Sequence, residues 1–209
     1  MKTVTTLAGR GSATVTDRRS EFIGYASPVS SEEEAVEFIS GIKKKHADAR
    51  HNVFAYVLRG GAVKRYSDDG EPQGSAGMPV LDVLVKSGLD GVVVVVTRYF
   101  GGILLGTGGL VRAYSSAAAA AIENAGTVTL RECARLKVTL SYNDHSRIGN
   151  DLRRAGASVV DTAYGENVEL SVTVPESERE SLCERLTELT AGRASVVWDG
   201  SVMAPAAEE

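Results

Sequence analysis

Five valines in a row, Val92 to Val96, stand between Gly91 and Thr97. β-Branched side chains are stiff at χ1 and favour extended backbone. The run is far short of the ~20 apolar residues that a membrane helix needs. It predicts a strand over Gly91 to Thr97, apolar at every position and therefore buried on both faces. A chain built around such a strand must form a sheet inside a sizeable core. With 209 residues, 43% of them hydrophobic and 24% charged, the chain has enough apolar surface for that core. This composition excludes disorder as the main state and fits one large domain or two small ones.

Charge and cysteine usage narrow the class further. Residues 1–125 carry 14 Lys and Arg against 13 Asp and Glu, and residues 126–209 carry 9 against 14. The halves are thus +1 and −5, and neither is a strongly basic nucleic-acid module. Met1 to Gly11 has no apolar stretch of the kind a signal peptide carries. Cys133 and Cys183 are too few for a disulfide framework and lack metal-site spacing. A cytoplasmic protein with no membrane partner is expected.

Patterning places the remaining elements. Glu21 to Ser27 predicts a strand. Ser31 caps a helix, with Glu34 completing a capping box and Lys43 to His46 in the last turn. Ala35, Phe38, Ile39 and Ile42 form its buried stripe. Asn52 to Leu58 and Ala62 to Tyr66 flank Gly60-Gly61, a hairpin signal. Pro79 opens a helix that Leu81, Leu84 and Val85 bury and Gly88 ends. A further helix runs from about Gly108 to Asn124, rich in alanine, which favours helix and permits close approach to a sheet. The texture then changes. Strands over 135–141, 158–164, 168–174 and 194–198 alternate with helices over about 143–155 and 177–190, a βαββαβ order of ferredoxin-like type. These boundaries divide the chain into residues 1–126, a ferredoxin-like domain at 127–200 and a disordered tail at 201–209.

Two glycine-rich strings hold the candidate chemistry. Arg98 to Leu110 follows the buried strand and feeds a helix, where unpaired backbone N–H groups attract anions. Arg98 and Arg112 supply charge nearby. Gly101 to Gly106 has phosphate-loop spacing, but Thr107 stands where that motif requires lysine. Gly106-Thr107-Gly108 begins a dinucleotide fingerprint, but Val111 replaces its last glycine. The glycines therefore serve either an anion site or tight turns and close packing. The second string, Ser67 to Gly77, places Asp68, Asp69 and Glu71 within four positions. They read either as oxygen ligands for Mg²⁺, or a base, or as turn-formers around Asp69-Gly70. His51 precedes a strand and points into a cleft or caps a turn. His46 belongs to the end of its helix. No nucleophile elbow or zinc-protease motif occurs.

Three strings taken together carry a resemblance. His51 to Tyr56, then Ser67-Asp68-Asp69-Gly70-Glu71-Pro72-Gln73-Gly74-Ser75-Ala76-Gly77, then Thr97-Arg98-Tyr99-Phe100-Gly101-Gly102 through Tyr114 are similar to the YigZ/IMPACT family, over about residues 18–125. The second half resembles the ferredoxin-like domain that bacterial members append. The resemblance implies an α+β fold. Its first domain would be like the second domain of small-subunit ribosomal protein S-five, with helices 31–46, 78–87 and 108–124 on one side of a sheet. It also implies a part in translational control.

The expected function is a translation-associated regulator that binds RNA or the ribosome. The nucleic-acid or anion-binding surface would join Lys64, Arg65, Arg98, Tyr99 and Arg112 with Gly101, Gly102, Gly106, Gly108 and Gly109. The alternative is a protein or enzyme that binds a phosphate-containing small molecule where loops 67–77 and 98–109 meet, with His51, Asp68, Asp69 and Glu71 in the cleft. No residue pattern names a cofactor, a metal or a catalytic group.

Overall fold

The structure, a computed structural model, describes residues 3–58 and 60–205. It divides into two compact units, Val4–Val128 and Thr129 onward together with Thr3.

In chain order the first unit contains β1 (Thr3–Leu7), β2 (Gly11–Asp17), β3 (Ser20–Pro28), α1 (Glu32–Lys45), β4 (His51–Leu58), β5 (Val63–Ser67), α2 (Gly77–Ser87), β6 (Val92–Tyr99) and α3 (Gly106–Ala125). Its sheet has the order β2-β3-β6-β4-β5, with every neighbouring pair antiparallel. The valine strand β6 is therefore central, and Val92 to Val96 are fully buried. Successive side chains on a strand point to opposite faces. Val92, Val94 and Val96 join Val53, Ala55 and Val57 in a core with α2 and α3. Val93 and Val95 join Tyr56, Leu58, Ala35 and Ile39 in a second core under α1. The three helices thus do not share one side. A strand apolar at every position needs cover on both faces, and α1 supplies the second layer.

Local chemistry explains the boundaries. Ser31 Oγ accepts the Glu34 N–H at 3.3 Å, and the Glu34 carboxylate accepts the Ser30 N–H at 2.8 Å, so the reciprocal cap reaches one residue further back than expected. Gly88 ends α2 at φ +67°, where a side chain would be strained. In α2 it is Val80, not Val85, that lies buried beside Leu81 and Leu84. α3 packs very close to the sheet. A Cβ added at Gly24 would lie 2.3 Å from the Ala117 carbonyl oxygen, and one at Gly11 would lie 2.4 Å from the Ala125 nitrogen. The alanines of α3 and the glycines of β2 and β3 are two halves of one close approach.

The second unit contains β7 (Thr127–Leu140), α4 (Tyr142–Arg154), β8 (Ser158–Tyr164), β9 (Val168–Pro175), α5 (Arg179–Leu189) and β10 (Ser195–Pro205). Its strands pair in the order β7-β9-β8, with β10 also paired to β7. The βαββαβ order and antiparallel pairing make it ferredoxin-like. One face, with Leu136, Val138, Leu170 and Val172, packs under Ile148, Leu152, Leu182 and Leu186. Residues 201–205 correct the expected tail. They continue β10 after a register shift, from Ser201 opposite Ala134 to Pro205 opposite Leu130, so β7 satisfies their backbone groups. Residues 206–209 of that tail lie outside the described residues. No described helix is long and apolar enough to cross a membrane.

The strands β1 and β2 have no counterpart among the sequence expectations. The β2–β3 turn is made by Arg18 and Arg19 at φ +45° and +67°, without the glycine or asparagine that marks such turns.

Candidate anion-binding cleft

At one end of the first sheet, Phe22, Arg98 and His51 stand side by side on β3, β6 and β4. They occupy the face toward α2 and α3. The loop between β5 and α2 folds over this row and places Glu71 against it. Arg98 Nη1 donates to Glu71 Oε1 at 2.6 Å, and the Tyr114 hydroxyl of α3 donates to the same oxygen at 2.8 Å. The Arg98 and Glu71 side chains are 7% and 4% exposed, so this pair lies out of water. His51 Nε2 stands 4.0 Å from Glu71 Oε1. The neighbouring Nδ1 lies 2.8 Å from the Asp69 backbone carbonyl, which only accepts. Nδ1 therefore carries a proton and Nε2 faces Glu71. Burial, then the Glu71 charge, pushes the Tyr114 phenol far above its ordinary range.

The other two carboxylates of the loop point elsewhere. Asp68 accepts the N–H groups of Gly74, Ala76 and Gly77 at 2.8, 3.1 and 2.7 Å, which ties the loop down at the start of α2. Asp69 accepts the Asn52 N–H at 2.7 Å and pairs with Lys43 at 2.7 Å. Asp69 and Gly70 both take positive φ, the turn-forming role. The three carboxylates have separate partners, which corrects their reading as one oxygen cage for Mg²⁺. Among the described residues no group of three or more His, Cys, Asp or Glu could hold a metal ion.

A cavity of about 400 Å³ opens beside the Arg98–Glu71 pair. It is lined by Arg50, His51, Glu71, Pro72, Arg98, Phe100, Leu104, Leu105, Gly106, Thr107 and Leu110. The two glycine-rich strings therefore meet in one cleft. Its upper wall is the start of α3, whose N-cap residue, Leu105, makes no side-chain hydrogen bond. Helix geometry leaves the first N–H groups of α3 without intrahelical partners and gives that end a partial positive charge. Gly106, at φ +72°, turns the chain into the helix there. Arg98 Nε is buried and has no hydrogen-bond partner among the described residues. Arg18 Nη1 donates to the Leu104 carbonyl at 3.3 Å and anchors the loop.

The remaining expected site residues are not gathered there. Tyr99 follows Arg98 on β6 and points to the opposite face, where its hydroxyl bonds Asp48 and His46, both at 2.9 Å. Lys64 and Arg65 lie on β5, the strand at the edge farthest from β2, with Arg65 3.9 Å from Glu32. A single surface joining Lys64, Arg65, Arg98 and Tyr99 is thus not formed, because strand alternation and sheet order separate them. Gly101 packs against the β2–β3 turn, where a Cβ would lie 2.1 Å from the Arg19 carbonyl. Gly102 has φ +85°, and a Cβ at Gly109 would press on Leu105 at 2.8 Å. Gly108 meets nothing within 4 Å and has no positive φ, so neither packing nor backbone demands it. Arg112 is exposed on α3. The cleft residues that sequence reasoning missed are Arg50, Pro72, Phe100, Leu104, Leu105, Thr107 and Leu110. For Phe100 and Leu104 the available signal was an exposed apolar residue in a glycine-rich loop.

Fold and site together define a two-unit α+β protein whose first unit builds a cationic, half-apolar cleft at a helix start. The Impact N-terminal domain family matches residues 18–122, and a domain of unknown function matches residues 138–193. The IMPACT family member YvyE of Bacillus subtilis is 40% identical over 192 residues, covering 91% of this chain and 88% of that protein. The IMPACT family member YigZ of Escherichia coli is 33% identical over 180 residues, covering 84% of this chain and 87% of that protein. The Xenopus tropicalis protein IMPACT-A is 37% identical over 99 residues, 44% of this chain and 30% of its own length. A solved structure of a hypothetical protein superposes with a TM-score of 0.64 at 29% identity, covering 94% of this chain and 97% of that one. The chain belongs to the IMPACT family.

Proposed function

We propose that this IMPACT-family chain is a translation-associated regulator that binds RNA, free or within the ribosome, through the first unit. The translational role is the one the family resemblance implies. The observation that carries the RNA contact is the convergence on one cleft of Arg50, buried Arg98 and the uncapped start of α3. Arg50 and Arg112 form no ion pair with any described residue, so their charge is available to phosphate. Phosphate contacts of this kind supply affinity without sequence preference and weaken steeply with salt. Phe100, exposed on the cleft wall, takes the stacking role first expected of Tyr99.

Co-sedimentation with ribosomes at low and high salt tests the reading. Arg50→Glu/Arg112→Glu is the control, since both side chains are exposed and their replacement spares the core. Salt-sensitive sedimentation that is lost in the double variant supports the proposal. A protein that stays unbound at every salt concentration refutes it.

A further inference from the structure

The cleft has two chemically distinct ends. At the polar end are the N–H groups at the start of α3, with Arg50, His51 and Arg98, whose buried Nε has no hydrogen-bond partner among the described residues. At the other end Phe100, Leu104, Leu105 and Leu110 form an apolar wall, and Leu104 is 81% exposed. An exposed leucine next to a buried arginine whose Nε has no hydrogen-bond partner among the described residues is a poor arrangement for an empty surface. It suits a ligand with an anionic head and a flat or apolar body.

We infer that the cleft is a site for a single nucleotide carrying a 5′-phosphomonoester, either a free mononucleotide or the phosphorylated 5′ end of an RNA. The inference rests on the RNA reading only for the second source. A monoester has three free oxygens and a charge of about −1.5 to −2, against two free oxygens and one charge on an internal diester. The donors at the polar end fit the monoester: successive N–H groups of the α3 start and the Arg50 guanidinium, with Arg98 lining the same cleft. Helix starts of this kind are ready anion sites, and the guanidinium suits phosphate. Glu71 does not oppose the anion, because its charge is spent on Arg98 and Tyr114. At about 400 Å³ the cleft has the size of a small-molecule site, roughly 300–1,000 Å³, and has room for one nucleotide rather than a strand. The base lies against Phe100 and Leu104.

The test is titration of the full chain with adenosine 5′-monophosphate, uridine 5′-monophosphate, adenosine and inorganic phosphate. Short single-stranded RNA is then titrated with and without a 5′-phosphate. Backbone amide NMR follows Gly106 and Thr107. The expected result is that both mononucleotides bind and shift those amides, while adenosine and phosphate bind about tenfold more weakly or worse. Phe100→Ala lowers mononucleotide affinity and leaves phosphate affinity unchanged. Thr107→Asp puts a carboxylate where the phosphate sits. It abolishes binding while the folded state is kept or strengthened, since an acidic residue suits a helix start. Tighter binding of 5′-phosphorylated than of 5′-hydroxyl RNA assigns the RNA end as ligand. Binding of mononucleotides without any RNA assigns the free nucleotide and overturns the RNA reading alone. Equal affinity for the two RNAs with no mononucleotide binding overturns the inference and leaves the RNA reading standing. No binding by any probe overturns both.

Discussion

Glu71 and Arg98 meet at 2.6 Å with both side chains out of water, and Tyr114 closes the same carboxylate oxygen. The pair joins the loop before α2 to the central strand and to α3. Breaking a buried ion pair from one side leaves an uncompensated charge. Glu71→Ala is therefore expected to destabilise the first unit by about 3–5 kcal/mol, whereas Glu71→Gln, which still accepts from Arg98, costs less. Denaturant unfolding followed by circular dichroism measures both. A Glu71→Ala loss below about 1 kcal/mol would mean that the pair contributes little.

Asp68 acts as a staple, with three N–H groups on one carboxylate. Hydrogen bonds to a charged acceptor are each worth about 1.5–3 kcal/mol, and part of that is recovered by water on removal. Asp68→Ala is expected to lower stability by roughly 2 kcal/mol, with added Mg²⁺ leaving the melting temperature of either protein unmoved. A magnesium-dependent rise in the wild-type melting temperature that Asp68→Ala loses would restore the cation reading.

His46 caps α1, with Tyr25 at 2.7 Å on Nε2 and Tyr99 at 2.9 Å on Nδ1. Burial, and then the Lys45 charge, lower its pKa below the ordinary value of 6.5. The unfolded chain thus takes up the proton first. The contribution of His46 is complete above its ordinary pKa and is lost as pH falls below 6.5 and through the lowered folded value. Melting temperatures taken from neutral to mildly acid pH should fall more steeply for the wild type than for His46→Gln. Parallel curves would show that His46 is not the titrating group.

Gly24 and Gly101 fill places that admit no side chain, 2.3 Å from the Ala117 carbonyl and 2.1 Å from the Arg19 carbonyl. Both obstacles are backbone, so the neighbour cannot swing aside. Gly24→Ala and Gly101→Ala are each expected to cost about 1–3 kcal/mol or more through overpacking. Gly108→Ala, in open space near a helix start, should be neutral or stabilising by up to about 1 kcal/mol. Equal losses at all three positions would contradict this assignment of roles.

Much of this architecture is legible in local chemistry. The valine run marks the central strand, Ser31 and Gly88 mark helix ends, and the second half shows its βαββαβ order through alternation and turn signals. What is not legible depends on pairing across the chain. The strand β2 has a turn built on Arg18 and Arg19, which carry no turn signature. The side of the sheet that α1 covers follows from a crossover, though the doubly apolar valines already require cover on both faces. The separation of Arg98 from Tyr99 is simple strand alternation, which the expectation of one joint surface does not respect. The partner of Arg98 is 27 residues away in a loop, and no local pattern points from Glu71 to it.

The central claim is that anionic RNA engages the cleft at the start of α3. Equilibrium binding of the full chain to single-stranded RNA across a salt series, compared with Arg50→Glu and Thr107→Asp, tests it most directly. The account predicts that a fourfold rise in salt weakens wild-type binding by roughly tenfold, as two or three phosphate contacts require. It also predicts that either variant loses most of the low-salt affinity while keeping its melting temperature. RNA binding that both variants retain at wild-type strength, or that salt leaves unchanged, would contradict it.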